Sequence, residues 1–203
     1  HASALFNVIH TMSLFYSTLM RIDVENYPKL AGDLAESWTV SPDKTVYTFK
    51  LRPNVKFHDG SALTSEDVKV SFDRIRNPPA GIASVRKNFF TEVASVENPD
   101  PATVVFKMKR PQPAFLYTVA NPLNCVFSAA KLKDNPRFPE RNVMGTGAFQ
   151  FVSHTAGSHM EGKRFDGYFV PGLPYLDGVR AQFVTGPALI NALQSGQVLA
   201  DFR

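Results

Sequence analysis

The side chains that most often ligate metals or act as general bases are spread widely along this chain. Only His154 and His159 approach metal-site spacing, but they lie five positions apart across a glycine, which gives them no regular shared face. We therefore predict no metal site. The five histidines are His1, His10, His58, His154 and His159.

A group of acids could also support general acid–base chemistry. Asp59, Glu66, Asp67 and Asp73 are close in sequence, and His58 precedes the first of them. Capping of a helix start and solvation explain these acids better than catalysis does. The sequence contains neither a Gly-x-Ser-x-Gly elbow nor a His-Glu-x-x-His motif, so we predict no catalytic residue. A hydrolase using His58 and Asp59 is the less favoured alternative.

Two further features argue against common cofactor sites. Cys125 is the single cysteine, which excludes an internal disulfide and a multi-cysteine zinc site, and we expect it to be a small buried side chain. Gly145-Thr146-Gly147 lacks the spacing of a dinucleotide fingerprint, and no Gly-Lys-Ser/Thr follows it. We predict no cofactor.

Composition and charge indicate a globular chain. Its 203 residues are 44% hydrophobic, which allows a sizeable core, and no run of about 18 apolar residues predicts insertion into a membrane. Residues 1–20 lack the basic start and apolar centre of a signal peptide. The net charge of +4 comes from dispersed residues, so we expect basic groups such as Arg86-Lys87 to be solvated and no nucleic acid to be a partner.

The stretch 34–75 holds the clearest structural signals. Alternating β-branched and aromatic residues at 45–51 predict a strand, and a second extended piece at 55–58 suggests a neighbouring strand closed by Asp59-Gly60. Thr64, followed three residues later by Asp67, then predicts a helix start. Apolar residues recurring at helical spacing give that helix one buried stripe, and Asn77-Pro78-Pro79 ends it. The stripe consists of Val68, Phe72 and Ile75.

The remaining chain predicts a mixed α/β architecture. We expect a core helix at 8–20, a hairpin at 92–97 and 103–109, and a helical turn at 114–119. Loops and a short helix should fill 121–138, and a turn at 145–148 should lead into a strand. The final predicted elements are strands at 165–169 and 179–184 and a helix ending near Gly196, whose buried stripe is Leu189, Ala192 and Leu193.

Several blocks of sequence, which follow one another in a fixed order, resemble a known family. They are Leu34–Trp38, Phe49–Arg52, Val55–Gly60, Gly145–Phe149 and Ala192–Gly196, with Ala148 replacing the proline usual in the fourth block. These blocks resemble the family 5 extracellular solute-binding proteins, the peptide, dipeptide and nickel receptors of bacterial ABC importers.

That resemblance implies part of a periplasmic-binding-protein type II fold, in which two lobes close around a small solute. Residues 1–33 and 141–203 would form an incomplete lobe I core, and residues 34–140 the extra α+β subdomain. The family is longer than this chain, so the resemblance implies an N-terminal part without the second lobe. It also implies a periplasmic or extracellular location and a membrane permease as partner, without enzymatic activity.

By position in the family, two short segments are expected to reach the solute. Leu5, Phe6 and Asn7 match first-lobe backbone that meets ligand, and Phe89 or Phe90 matches an aromatic residue of the subdomain. From the residues alone, Phe89 and Phe90 could fill a core or line a pocket, and a core role is favoured. A stand-alone, non-catalytic partner-binding module is the main alternative function.

Overall fold

A computed structural model describes residues 6–184 and 186–201, with side chains described from residue 11 onward. Its strands form three antiparallel sheets, ordered β1-β2, β3-β4-β6-β5 and β7-β8-β9. Within the described ranges, no helix combines the length and the apolar character that a membrane span requires. The elements are α1 (Phe6–Phe15), β1 (Met20–Ile22), β2 (Leu30–Gly32), β3 (Ala35–Val40), β4 (Val46–Leu51), α2 (Ser65–Arg76), a 3-10 helix (Lys87–Phe90), β5 (Val93–Asp100), β6 (Thr103–Met108), α3 (Phe115–Val119), α4 (Ala129–Asp134), a 3-10 helix (Phe138–Glu140), β7 (Phe149–Thr155), β8 (His159–Arg164), β9 (Gly178–Gln182) and α5 (Ala188–Gln194).

The four-stranded sheet and α2 form the larger core. The stripe Val68, Phe72 and Ile75 is completely buried, as predicted. The Phe72 ring meets the edge of Phe106 on β6 with centroids 4.9 Å apart, and Phe106 meets Phe49 on β4 at 5.6 Å. Such edge-to-face pairs add to the stabilisation from burial.

The start of α2 confirms the predicted cap. The Asp67 carboxylate accepts hydrogen bonds from the backbone N–H of Thr64 at 2.7 Å and from its hydroxyl at 2.9 Å. A third bond, from the Ala129 N–H at 2.8 Å, ties α2 to the start of α4. Asp67 therefore closes a helix end and joins two helices.

Three predicted elements are wrong in extent or pairing. The predicted helix at 8–20 spans Phe6–Phe15, because the Thr18 N–H donates to the Asp33 carboxylate at 2.8 Å instead of continuing the helix. The piece at 55–58 does not pair with β4, whose two edges are already taken by β3 and β6. The predicted strand at 165–169 is a turn, in which the Tyr168 N–H donates to the Phe165 carbonyl.

The last helix also departs from its prediction. Ala192 is buried, but Leu193 is 37% exposed and Leu189 only half-buried. Among the described residues, α5 is thus covered on the Ala192 side alone. The strand β4, the hairpin β5–β6, the turn helix α3 and the strand β7 are confirmed.

Candidate functional site

The predicted site residues that the structure describes lie on two different helices. Leu5 lies outside the described residues, and Phe6 and Asn7 begin α1, where only the backbone is described. α1 packs on β7, whereas the helix carrying Phe89 and Phe90 packs on α2.

The two adjacent phenylalanines have opposite environments. Phe90 is 2% exposed and meets the edge of Phe72 at 5.6 Å, which makes it a core residue. Phe89 is 62% exposed on the same short helix. Phe90 thus anchors the helix, and Phe89 is the aromatic side chain that it presents outward.

Arg86, directly before this helix, supplies the charge of the candidate site. Its guanidinium carbon lies over the Phe89 ring, 4.5 Å from the ring centroid, which is a cation–π contact. Arg86 is nevertheless only 7% exposed, so the prediction that Arg86-Lys87 forms a solvated face is wrong for this residue. Burial lowers the pKa of Arg86 from its ordinary value, although the side chain stays charged.

A buried amide fixes the orientation of that guanidinium. Arg86 Nε donates to Asn124 Oδ1 at 3.0 Å, and Asn124 Nδ2 donates to the Thr118 carbonyl at 2.6 Å. Asn124 is completely buried. Close by in sequence, the Ser84 hydroxyl is buried and has no hydrogen-bond partner among the described residues. The two hydrogen bonds of Asn124 therefore fix the orientation of the guanidinium.

The alternative acid–base pair is not assembled. His58 Nε2 bonds the Gly147 carbonyl at 3.0 Å, while the Asp59 carboxylate accepts from the Ser61 hydroxyl at 2.6 Å and pairs with Lys131 at 3.4 Å. The His58 ring thus connects the loop after β4 to the turn before β7. Burial lowers the pKa of His58, against smaller opposing effects of the Gly147 bond and of Asp59.

A second polar region surrounds Asp33. A cavity of about 360 Å³ and a neighbouring one of about 230 Å³ share Arg21, Asp33 and Tyr168 as lining residues. Burial raises the pKa of Asp33 and also raises that of Tyr168, to about 12. Thr18 donates its N–H to the Asp33 carboxylate, and Arg52 Nε donates to the Asp33 carbonyl at 2.7 Å. These contacts join the ends of three strands, which gives the region a structural role.

Metal and thiol chemistry find no support in the described residues. They contain no group of three or more histidine, cysteine, aspartate or glutamate side chains placed to hold a metal ion. Cys125 is 2% exposed, and burial raises its pKa to about 12. A thiol in that environment is a poor nucleophile.

One sequence signal could have revealed the Arg86 site. Arg86 and Phe89 are three positions apart, a spacing that brings side chains together on a helical turn. Its burial, in contrast, depends on Asn124 and Thr118, which come from a distant segment. No local pattern contains that information.

Comparison with known proteins gives one consistent result. Residues 29–202 match the sequence profile of the bacterial extracellular solute-binding proteins, family 5 Middle. The glutathione-binding protein GsiB of Escherichia coli K12 is 36% identical over 165 residues, which cover 81% of this chain and 31% of GsiB. The chain therefore spans about a third of the length of this curated relative.

Solved structures of similar proteins share this fold. AgaA from A. tumefaciens R10, in complex with agropinic acid, is 36% identical with a TM-score of 0.86, covering 94% of this chain and 38% of AgaA. The oligopeptide-binding protein AppA from Bacillus subtilis, in complex with a nonapeptide, is 26% identical with a TM-score of 0.86, covering 97% of this chain and 39% of AppA.

Proposed function

The chain belongs to the bacterial extracellular solute-binding proteins of family 5, and on that basis we propose that it is part of the solute-capturing component of an ABC importer. The observation that carries this proposal is the family match over residues 29–202, joined to the fold shared with AgaA bound to agropinic acid. The protein would bind a small solute, peptide-like or otherwise, and deliver it to a membrane permease from the periplasm or the outer face of the cell.

Within that role, we assign residues 1–33 and 141–203 to the core of one lobe and residues 34–140 to an extra subdomain. The positions of the sheets support this division, since β3-β4-β6-β5 lies wholly inside the middle segment and β7-β8-β9 inside the last. The solute would lie against one face of this unit. A second lobe in the protein at its full encoded length would enclose it, with closure favoured by the bound solute.

The proposed contacts to solute come from both segments. Leu5, Phe6 and Asn7 would contribute from the start of the chain, and Phe89 from the subdomain. The exposure of Phe89 supports its assignment, whereas Phe90, buried against Phe72, would support the helix from behind.

We further propose that the protein does not transform its solute. The separation of the His58 and Asp59 hydrogen-bond partners supports this, because a catalytic dyad needs the base oriented by its acid. A substrate incubated with the protein should be recovered unchanged.

A thermal-shift screen of the protein at its full encoded length tests the proposal. The panel would contain glutathione, agropinic acid, short and long peptides, nickel–histidine and sugars, with chromatographic recovery of each compound afterwards. A solute at a hundredfold excess over its dissociation constant adds about 2.7 kcal/mol to stability, so one chemical class should raise the melting temperature. No shift across the panel would overturn the proposed function, and turnover of a bound compound would favour the hydrolase alternative.

A further inference from the structure

Arg86 combines deep burial with a positive charge, and the described part of the chain supplies no counter-ion for it. It is 7% exposed, and no aspartate or glutamate of the described residues lies within salt-bridge distance of its guanidinium. Buried charges in proteins are normally paired, because removing a charge from water without a partner is unfavourable. Among the described residues, therefore, no carboxylate balances the charge of Arg86.

The rest of the sequence cannot supply the missing carboxylate side chain. The positions whose side chains are not described are 1–10, 185, 202 and 203, and none of them is aspartate or glutamate. The adjacent lysine, Lys87, is exposed, so it does not cause the burial of the Arg86 guanidinium. An anion that pairs with Arg86 would have to come from outside this chain segment.

The Arg86 side chain is also held in a fixed orientation, as a ligand-binding group should be. Its Nε–H is occupied by Asn124, whose own amide is held by the Thr118 carbonyl, so the guanidinium cannot rotate freely. Its central carbon lies over the Phe89 ring. The Nη groups donate to no acceptor among the described residues, and together they form the planar pair of donors that matches a carboxylate.

We infer that Arg86 and Phe89 together form a subsite for a carboxylate group of the solute, with the apolar part next to that carboxylate lying on the exposed Phe89 ring. This inference rests on the proposed solute-binding function and names the chemical class that this site selects. A neutral solute of the same shape would leave the guanidinium buried and unpaired. Discrimination between carboxylate and amide should therefore be strong.

The test uses benzoate as the probe and benzamide as its neutral analogue, because each carries an aromatic ring that Phe89 can contact. Arginine Nε–H signals of the protein at its full encoded length, labelled with ¹⁵N-arginine, are followed by NMR during each titration. Arg86→Gln identifies the Arg86 signal, and Lys87→Gln is the control, since it removes the same charge at an exposed neighbouring position. Circular dichroism of each variant checks the fold.

The expected result is a saturable shift of the Arg86 signal with benzoate and none with benzamide, retained in Lys87→Gln. For a carboxylate solute found in the thermal-shift screen, Arg86→Gln should weaken binding at least about tenfold. An Arg86 signal that benzoate leaves unchanged would overturn the inference, as would an equal loss of solute affinity in both variants. If Arg86→Gln binds the solute normally, the subsite is wrong while the solute-binding function stands. Benzoate binding without any solute from the screen would refute the proposed function and, with it, the assignment of this site to a solute, although Arg86 would still be shown to bind a carboxylate.

Discussion

Replacing His58 with alanine would remove the ring that connects the loop after β4 to the turn before β7. In the native protein Nε2–H donates to the Gly147 carbonyl at 3.0 Å, and Nδ1 faces the Gly145 N–H at 3.4 Å. The ring also meets the edge of Phe165 with centroids 5.0 Å apart. The variant keeps the backbone bond from the residue 58 N–H to the Gly145 carbonyl, so only side-chain contacts are lost.

The expected loss of stability follows from these contacts. Gly147 is buried, and leaving its carbonyl unpaired costs about 1–3 kcal/mol. Loss of the ring contact with Phe165 adds about 0.5–1.5 kcal/mol. We therefore expect His58→Ala to lower the free energy of unfolding by about 2–4 kcal/mol.

Urea denaturation followed by circular dichroism measures this loss. The control is His154→Ala, because His154 is exposed on β7 and the interaction that this variant loses is its ring contact with Phe183, at 6.0 Å between centroids; it should lower stability by less than about 1 kcal/mol. His58→Gln should recover part of the loss, since its amide can still donate to the Gly147 carbonyl. A His58→Ala variant as stable as the wild type would refute the structural role of this ring.

Three further predictions concern protonation, capping and thiol access. Burial holds the pKa of His58 below its usual value, so the unfolded chain binds a proton at this residue more readily than the folded protein does. The free energy of unfolding should therefore be constant above about pH 6.5 and fall as the pH drops through the pKa of the folded state. Denaturation curves of His58→Gln should show a smaller dependence on pH. Asp67→Ala removes the acceptor of Thr64 and Ala129 and should cost about 2–4 kcal/mol of unfolding free energy in the same assay. Cys125, buried with a pKa raised to about 12, should react with iodoacetamide only after unfolding, as read by mass spectrometry.

Each of these predictions has its own contradicting outcome. Equal losses of stability between pH 7.5 and 5 in the wild type and His58→Gln would remove His58 from the pH response. Glu66→Ala is the control for the cap, because Glu66 lies exposed in the same helical turn, and equal effects of the two alanine variants would contradict the role of Asp67. Rapid alkylation of Cys125 in the folded protein would show that its surroundings open easily.

Local sequence signals were sufficient for α2 and the strands around it. Thr64 and Asp67 satisfy the helix start within four residues, and the stripe from Val68 to Ile75 needs only helical periodicity. Both signals lie within a single helix, so the local sequence is sufficient to predict where the helix begins and which face is buried.

The predictions from sequence are wrong where contacts with a distant segment determine the end of a helix or the pairing of a strand. The helix predicted to reach residue 20 ends at Phe15, because Asp33 captures the Thr18 N–H. Residues 55–58 have a strand-like pattern, but β6, from much later in the chain, takes the edge of β4 instead. Such competition between partners cannot be seen in a local window.

The candidate site was predicted only in part for the same reason. The pair Phe89 and Phe90 looks equivalent in sequence, and only packing against Phe72 determines which of them is buried. Arg86 resembles any surface arginine next to a lysine until Asn124, thirty-eight positions later, encloses it. Leu5, Phe6 and Asn7 remain proposals.

Calorimetric titration of the protein at its full encoded length with the best solute from the thermal-shift screen tests the solute-binding function most directly. We expect a saturable heat with one solute per protein molecule, a negative heat-capacity change from burial of the solute, and no chemical change in the recovered compound. The absence of saturable binding for peptides, opines, nickel complexes and sugars alike would contradict the solute-binding function.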